Sequence, residues 1–247
     1  MEILISKQDK AGLTISKFLK VPYTLLEQDS IHAENIDKKI SSDLFIFATK
    51  HKGEERKNIC LHVPGNWNKA EYGGKDSTLN ISPSNYIKEA FLFLQKNNNT
   101  DYEITLETDH HGPSIDKPCF FIEIGSSEKN WIDEKPAKLI ASCLEYLFNA
   151  KIKSYKTAIG LGGPHYCTSF NKIQANTDFS FSHICPKYQL QNLNESLLQQ
   201  AITKSLPKAS YIILDYKGLG KEKDNIKELL KKVDLEVLRT NQIKKDI

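Results

Sequence analysis

The chain lacks most of the features that settle a protein's class by inspection. In its 247 residues no window approaches the ~18 consecutive apolar residues of a membrane span. Met1 to Lys7 has no basic start leading into an apolar stretch, so no secretion signal is expected and the expected address is the cytoplasm. Cysteine is sparse and odd in number, at Cys60, Cys119, Cys143, Cys167 and Cys185, with no CxxC spacing. That excludes a disulfide framework and a thiolate zinc knuckle. The loop Gly160-Leu-Gly-Gly-Pro164 is not followed by Gly-Lys-Ser/Thr and is not GxGxxG. GxSxG and HExxH are also missing, which removes the Walker, serine-esterase and zincin readings. Charge of one sign is missing too: 34 basic against 31 acidic residues leave +3, so a polyanion partner needs a local patch.

What remains is a globular balance, 39% hydrophobic and 26% charged, which excludes disordered, collagen-like and coiled-coil chains. Strand-like and helix-like runs alternate without a repeat or a linker. Asp43-Leu-Phe-Ile-Phe-Ala-Thr49, Pro118-Cys-Phe-Phe-Ile-Glu-Ile124 and Ser210-Tyr-Ile-Ile-Leu-Asp215 are continuous apolar runs, the pattern of strands buried on both faces. Tyr102 to Thr108 alternates, with Ile104 and Leu106 on one face. Ser82-Pro83 reads as an N-cap and first-turn proline, Asp133 as the start of a long helix, and Lys217 to Lys232 as a lysine-rich helix. The expectation is one α/β domain over residues 1–247, with a mixed, mostly parallel sheet and helices on both faces. Ligand sites in such folds gather where strands feed loops.

The histidines follow that rule. His51 comes just after an apolar strand, His62 ends another, and His110-His111 follow a third, ahead of Gly112-Pro113. His165 follows the glycine loop and His183 lies in Ser182-His183-Ile184-Cys185-Pro186, whereas His32 has only polar neighbours and reads as a surface residue. Imidazole serves general acid–base chemistry and binds zinc through a neutral nitrogen. On an extended strand only one of His110 and His111 could enter a site, but a turn at Gly112 could bring in both. Glu123 stands inside an apolar strand, where a charge is costly unless it is paired or bound to metal. His110, His111 and His165, with Glu123, are therefore the expected catalytic or metal-binding groups. The metal-ligand pool is His51, His62, His110, His111, Glu123 and His165. Amides at Gly125, Ser126 and Gly162 are candidates for holding an oxyanion, with Tyr166 beside the glycine loop. Basic residues cluster at Lys50, Lys52, Arg56 and Lys57 next to His51, and Lys50, His51, Lys52 and Lys57 are the expected phosphate contacts.

These segments together resemble the archaeal and plant type of D-aminoacyl-tRNA deacylase, also called D-tyrosyl-tRNA deacylase. The resemblance rests on Ala48-Thr49-Lys50-His51, Leu61-His62-Val63-Pro64-Gly65-Asn66-Trp67 and His110-His111-Gly112-Pro113. It extends through Phe121-Ile-Glu-Ile-Gly-Ser-Ser127 with Trp131, and Gly160-Leu-Gly-Gly-Pro-His-Tyr166. Lys50 departs from it, since an arginine is expected there, and lysine grips phosphate only as a point charge. The resemblance implies hydrolysis of the ester between a D-amino acid and the terminal ribose of tRNA, a chirality quality-control step. It also implies bound zinc, a tRNA partner and a fold akin to peptidyl-tRNA hydrolases and nucleoside phosphorylases. Asn66 joins the substrate set through this motif. A monomer is expected because no long apolar stripe is left over. Two other readings stay open: a non-catalytic tRNA-binding module, and a different metal hydrolase or phosphorylase acting on a small molecule.

Overall fold

The computed structural model describes residues 1–53 and 55–243. Six strands form a first sheet: β1 (Glu2–Ser6), β2 (Thr24–Leu26), β3 (Phe45–Lys50), β4 (Asn58–His62), β5 (Glu103–Leu106) and β6 (Cys119–Gly125). Their order is β2-β1-β3-β6-β4-β5, parallel throughout except for the antiparallel pair β4–β6. A second, all-parallel sheet has the order β8-β7-β9-β10, from β7 (Lys156–Leu161), β8 (Phe179–Cys185), β9 (Tyr211–Leu214) and β10 (Glu236–Arg239). The expected single sheet is thus divided in two. Just past β5 the chain leaves its own sheet: the Thr108 amide donates to the His165 carbonyl and the Asp109 amide to Ile184, each at 3.1 Å. Apolar patterning reports that strands exist, not which become neighbours.

The main helices are α1 (Lys10–Ser16), α2 (Ser84–Asn97), α3 (Glu134–Asn149), α4 (Thr168–Asn176), α5 (Glu195–Thr203) and α6 (Lys223–Leu230). α1, α2 and α3 cover one face of the first sheet, where Ile46, Ile59, Leu61, Ile104, Leu106, Ile122 and Ile124 are buried. α5 and α6 cover the outer face of the second sheet against Ile159, Leu161, Ile212 and Leu214. Asp133 caps α3 as its sequence position predicts, accepting from the Lys135 amide at 2.9 Å. Two expected boundaries move. Ser82-Pro83 is a short extended segment paired with Ser205–Leu206, and the Ser82 hydroxyl donates to the Ser182 carbonyl, so α2 begins at Ser84. The lysine-rich helix spans only Lys223–Leu230, because Gly220 ahead of it holds a left-handed φ of 55°. Among the described residues no helix is long and apolar enough to cross a membrane.

Period-two alternation positions the chemistry. On β6, Phe120, Ile122 and Ile124 face the helical core, which sends Phe121 and Glu123 to the opposite side. On β4, Ile59 and Leu61 face the core, so Cys60 and His62 join Glu123 there, with Cys60 in register with Glu123 and His62 with Phe121. On β5, Thr105 is in register with Cys60 and Glu107 follows two residues on. The face away from the helices is therefore apolar at Phe45, Phe47 and Phe121, and polar toward the ends of β6, β4 and β5, at Glu123, His62 and, just past β5, Glu107.

A histidine–glutamate cluster between the two sheets

Five separate segments close over that polar corner. His51 leaves β3 with its carbonyl held by the Trp131 indole at 3.0 Å. His62 ends β4, Glu107 follows β5, His110 and His111 occupy a turn, and His165 ends the glycine loop after β7. Glu123 lies within 3.3 Å of His51 Nδ1, 3.7 Å of His62 Nε2 and 4.0 Å of His111 Nε2. Glu107 lies within 3.4 Å of His51 Nδ1, 3.6 Å of His165 Nε2 and 4.0 Å of His110 Nε2. The ring centroids of His62 and His110 are 4.1 Å apart, and those of His110 and His111 4.4 Å. The whole metal-ligand pool read from the sequence is thus brought together, and both members of the His110-His111 pair enter.

The turn that admits both is built from glycines. His111 has a φ of 46°, and a side chain at Gly112 would meet the Gly74 amide at 2.3 Å. The polar 65–78 segment packs on this turn through Gly73 and Gly74, both with positive φ, and the Gly112 amide donates to the Tyr72 carbonyl at 2.9 Å.

The outer nitrogens of the histidines are committed. Nδ1 of His62, His110 and His111 meets the carbonyls of Val63, Thr108 and Gly112 at 3.2, 2.8 and 2.6 Å. An Nδ1–H that donates to a carbonyl leaves Nε2 with its lone pair facing inward, as in histidines that ligate metal. Burial and the neighbouring His62 depress His111 to about 4. Burial, then His62, His111 and His165, push His110 well below the usual range. Both rings are therefore neutral donors. For His51, burial opposes the charge, but Glu123 and Glu107 outweigh it and raise the ring to about 9. Burial would raise Glu123 and Glu107; His51 and His62 hold the first ionised, and His165 and His51 the second. Two carboxylates and several imidazole nitrogens face a common space, and His62 Nε2 and both Glu107 oxygens are buried without a hydrogen bond among the described residues. Donors on one tetrahedral zinc lie ~3.3–3.5 Å apart, given ligand distances of ~2.0–2.2 Å. Here His62, His110 and His111, and likewise Glu107, His110 and His165, offer donor atoms within 4.8 Å of one another. The chemistry of the donors fits zinc, and their spacing is wider than bound ligands by at most ~1.5 Å, within reach of side-chain adjustment.

Several sequence expectations are corrected. The Gly162 amide donates to the Cys185 carbonyl at 2.9 Å and the Ser126 amide to Asn130 Oδ1 at 3.2 Å, so neither is free for an oxyanion. Gly125 ends β6 where a Cβ would run into the Asn58 and His51 side chains, so these close over it and leave no open cradle. Asn66 uses its amide on the Gly73 and Lys75 carbonyls and braces the 65–78 segment. Tyr166 does reach the cluster: its hydroxyl is 3.2 Å from His51 Nε2, and Arg56 lies 4.8 Å over its ring. Burial, then the Glu107 charge, raise that phenol to about 12, so it stays a donor. Of the expected phosphate contacts, His51 is buried in the cluster, Lys57 pairs with Asp101 at 2.6 Å and Lys52 is exposed.

Lys50 is pulled inward. Its ammonium sits 3.0 Å from Asp29 and 3.4 Å from the fully buried Asp9, and these two keep it charged against the effect of burial. Lys50→Ala is therefore expected to leave the salt dependence of tRNA binding unchanged, whereas loss of a true phosphate contact lowers the slope by ~1. The same change is expected to lower Tm by ~2–8 °C, for ~1–2 kcal/mol of lost charge-assisted bonding. A shallower salt slope in filter binding would restore the phosphate role.

Two features escaped the sequence reading. Glu107 belongs to the alternating run 102–108, whose polar positions look solvent-facing; the second sheet covers them. His183 lies on β8 rather than in a loop, fully buried outside the cluster, with Nδ1 2.6 Å from Asp109.

A sequence model of the D-aminoacyl-tRNA deacylase family matches residues 38–238. The chain is 34% identical over 221 residues to a D-aminoacyl-tRNA deacylase of Pyrococcus furiosus, covering 86% of this chain and 81% of that protein. It is 33% identical to one from Archaeoglobus fulgidus, covering 87% and 80%. A crystal structure described as a conserved protein of unknown function superimposes with a TM-score of 0.92 at 30% identity, covering 99% of this chain and 96% of that one.

Proposed function

The chain belongs to the D-aminoacyl-tRNA deacylase family, and we propose that it hydrolyses the ester of D-aminoacyl-tRNA in the histidine–glutamate cluster, with zinc held there. The observation that carries this reading is the convergence of His51, His62, His110, His111 and His165 on two buried carboxylates, every approach 4.0 Å or less. A binding module has no use for so costly an arrangement, because buried charges weaken a fold unless they are compensated.

His62, His110 and His111 would hold the metal, which leaves the carboxylates of Glu107 and Glu123 for proton transfer. Zinc, when bound, supplies Lewis acidity toward an ester carbonyl or a water. The remaining work falls to the chain's own groups. An aminoacyl ester is already activated, so the demands are to position a water, take its proton and stabilise the developing oxyanion. Glu107 and Glu123 are the bases within the cluster. The Tyr166 hydroxyl, fixed by His51, donates toward the oxyanion in place of the committed backbone amides. Arg56, laid on the Tyr166 ring and paired with the exposed Glu103, and the exposed Lys52 are the cations offered to the acceptor-end phosphates of the tRNA, Arg56 by exchanging Glu103 for phosphate.

The test is deacylation of D-tyrosyl-tRNA before and after exhaustive chelation, with melting followed in parallel. Metal removal is expected to cut the rate ~100-fold or more, reversibly on adding zinc. It is expected to lower Tm by ~5–10 °C, since a ligand at ~100 times its Kd stabilises by ~2.7 kcal/mol. Full activity in metal-free protein would end the zinc assignment, and no cleavage by the zinc-loaded protein would end the deacylase reading.

A further inference from the structure

Tyr188 is 49% exposed, yet it is not a free surface side chain. Its hydroxyl lies 3.2 Å from His165 Nδ1, on the ring edge opposite the Nε2 that faces Glu107. The Thr108 hydroxyl meets the same Nδ1 at 3.2 Å, so the phenol tip is held in a small polar triangle. Its backbone is fixed as well. The Lys187 amide donates to the Gly163 carbonyl at 3.0 Å, and the Gln189 amide closes a turn onto Pro186 at 2.9 Å. The exposed aromatic side chains of the described residues include Tyr23, Tyr72, Phe148 and Tyr188, and of these Tyr188 is the one hydrogen-bonded to the cluster. An aromatic side chain pinned at both ends and half exposed is a preorganised stacking surface, one imidazole away from the reacting groups.

We propose that Tyr188 is the platform on which the adenine of the terminal tRNA nucleotide stacks while its ester occupies the cluster. This inference rests on the deacylase reading above and names how that site takes the nucleoside. The buried donors call for the ester, and the amino acid follows it inward. The ribose and base are the parts that remain outside, continuous with the rest of the tRNA, and the base is one ribose from the ester. Tyr188 occupies that outer position, on the solvent side of His165. Exposed Lys187 beside it offers a cation for the phosphate of the same nucleotide. Stacking on an aromatic ring is tolerant of everything except the presence of a base, which suits an enzyme whose substrates share the adenine and differ in the amino acid.

Steady-state kinetics of Tyr188→Phe and Tyr188→Ala on D-tyrosyl-tRNA and D-alanyl-tRNA test this. Tyr188→Ala is expected to raise KM ~5–150-fold, the range for one lost base stack. Its kcat should change by less than ~3-fold, and the KM factor should be the same for both substrates. Tyr188→Phe keeps the ring but loses its bond to His165, and is expected to raise KM less than Tyr188→Ala does. With D-tyrosyl esters of adenosine and of ribose lacking the base, the wild type should prefer the adenosine ester, and Tyr188→Ala should lose that preference. Equal damage to kcat in both variants would make Tyr188 a positioning residue for His165 and overturn the proposal. So would a KM effect confined to D-tyrosyl substrates, which would place the amino-acid side chain on the ring. An unchanged KM in Tyr188→Ala overturns it while leaving the deacylase reading intact. Failure of the wild type to cleave either substrate removes both.

Discussion

Glu123→Gln is expected to reduce kcat for D-aminoacyl-tRNA hydrolysis by ~10²–10³-fold and to lower bound zinc, the loss of ~3–4 kcal/mol of transition-state stabilisation. The carboxylate is shared: one oxygen faces His51 and the other faces His62 and His111. An amide keeps the shape and an acceptor oxygen but removes the charge, and with it part of what keeps His51 protonated against burial. Glu107→Gln should act alike, since Glu107 stands in the same relation to His51, His110 and His165. The double variant should lose little more than either single one, because groups that act as a unit are not additive. Glu128→Gln, at an exposed carboxylate 2.9 Å from Lys10, is the control and should stay at wild-type activity. Single-turnover rates with zinc content measured on the same samples decide the matter. A Glu123→Gln enzyme retaining more than about a tenth of kcat would remove Glu123 from the reaction.

The second large effect concerns chirality. The D isomer is expected to be cleaved at least ~10³ times faster than the L isomer, a discrimination of ~4 kcal/mol. Among D-amino acids, kcat/KM should vary by no more than ~10-fold from D-alanyl to D-tyrosyl. The backbone around the cluster is the basis for expecting two such different numbers. The His110–Pro113 turn is wedged against Gly73 and Gly74, and the Gly162–His165 loop is tied to Cys185 and Lys187. A wall that cannot yield excludes a substituent by where it projects, not by what it is. Side-chain identity would be read only by a complementary pocket, where each methylene counts for ~1–3 kcal/mol. Parallel assays on D- and L-tyrosyl-tRNA and on D-alanyl-tRNA measure both ratios. Comparable rates on the two isomers would remove the proofreading role, whatever the metal does.

Much of this site was legible in the residues. Glu123 stands out because a charge in Phe120-Phe-Ile-Glu-Ile124 has no reason to be there unless something compensates it. The histidines stand out because each comes where a strand or a glycine turn releases the chain. Glu107 was hidden by the same logic that exposed Glu123. In an alternating run a polar residue is the expected outer face, and nothing local announces that a second sheet will cover it. Lys50 misled for a related reason. It stands among lysines beside His51, but Asp9 and Asp29, 41 and 21 residues away, claim its charge.

The sequence alone determined the α/β class, several of the strands and helices, the family resemblance and the pool of imidazoles with Glu123, because these follow from periodicity and local chemistry. Tertiary structure alone decided that the strands divide into two sheets, that Glu107 is the second central carboxylate, and that Lys50 and the Gly162 amide are spent inside the fold. Whether a polar group is free for a substrate depends on which distant segment reaches it first, and that is settled only when the chain closes in space.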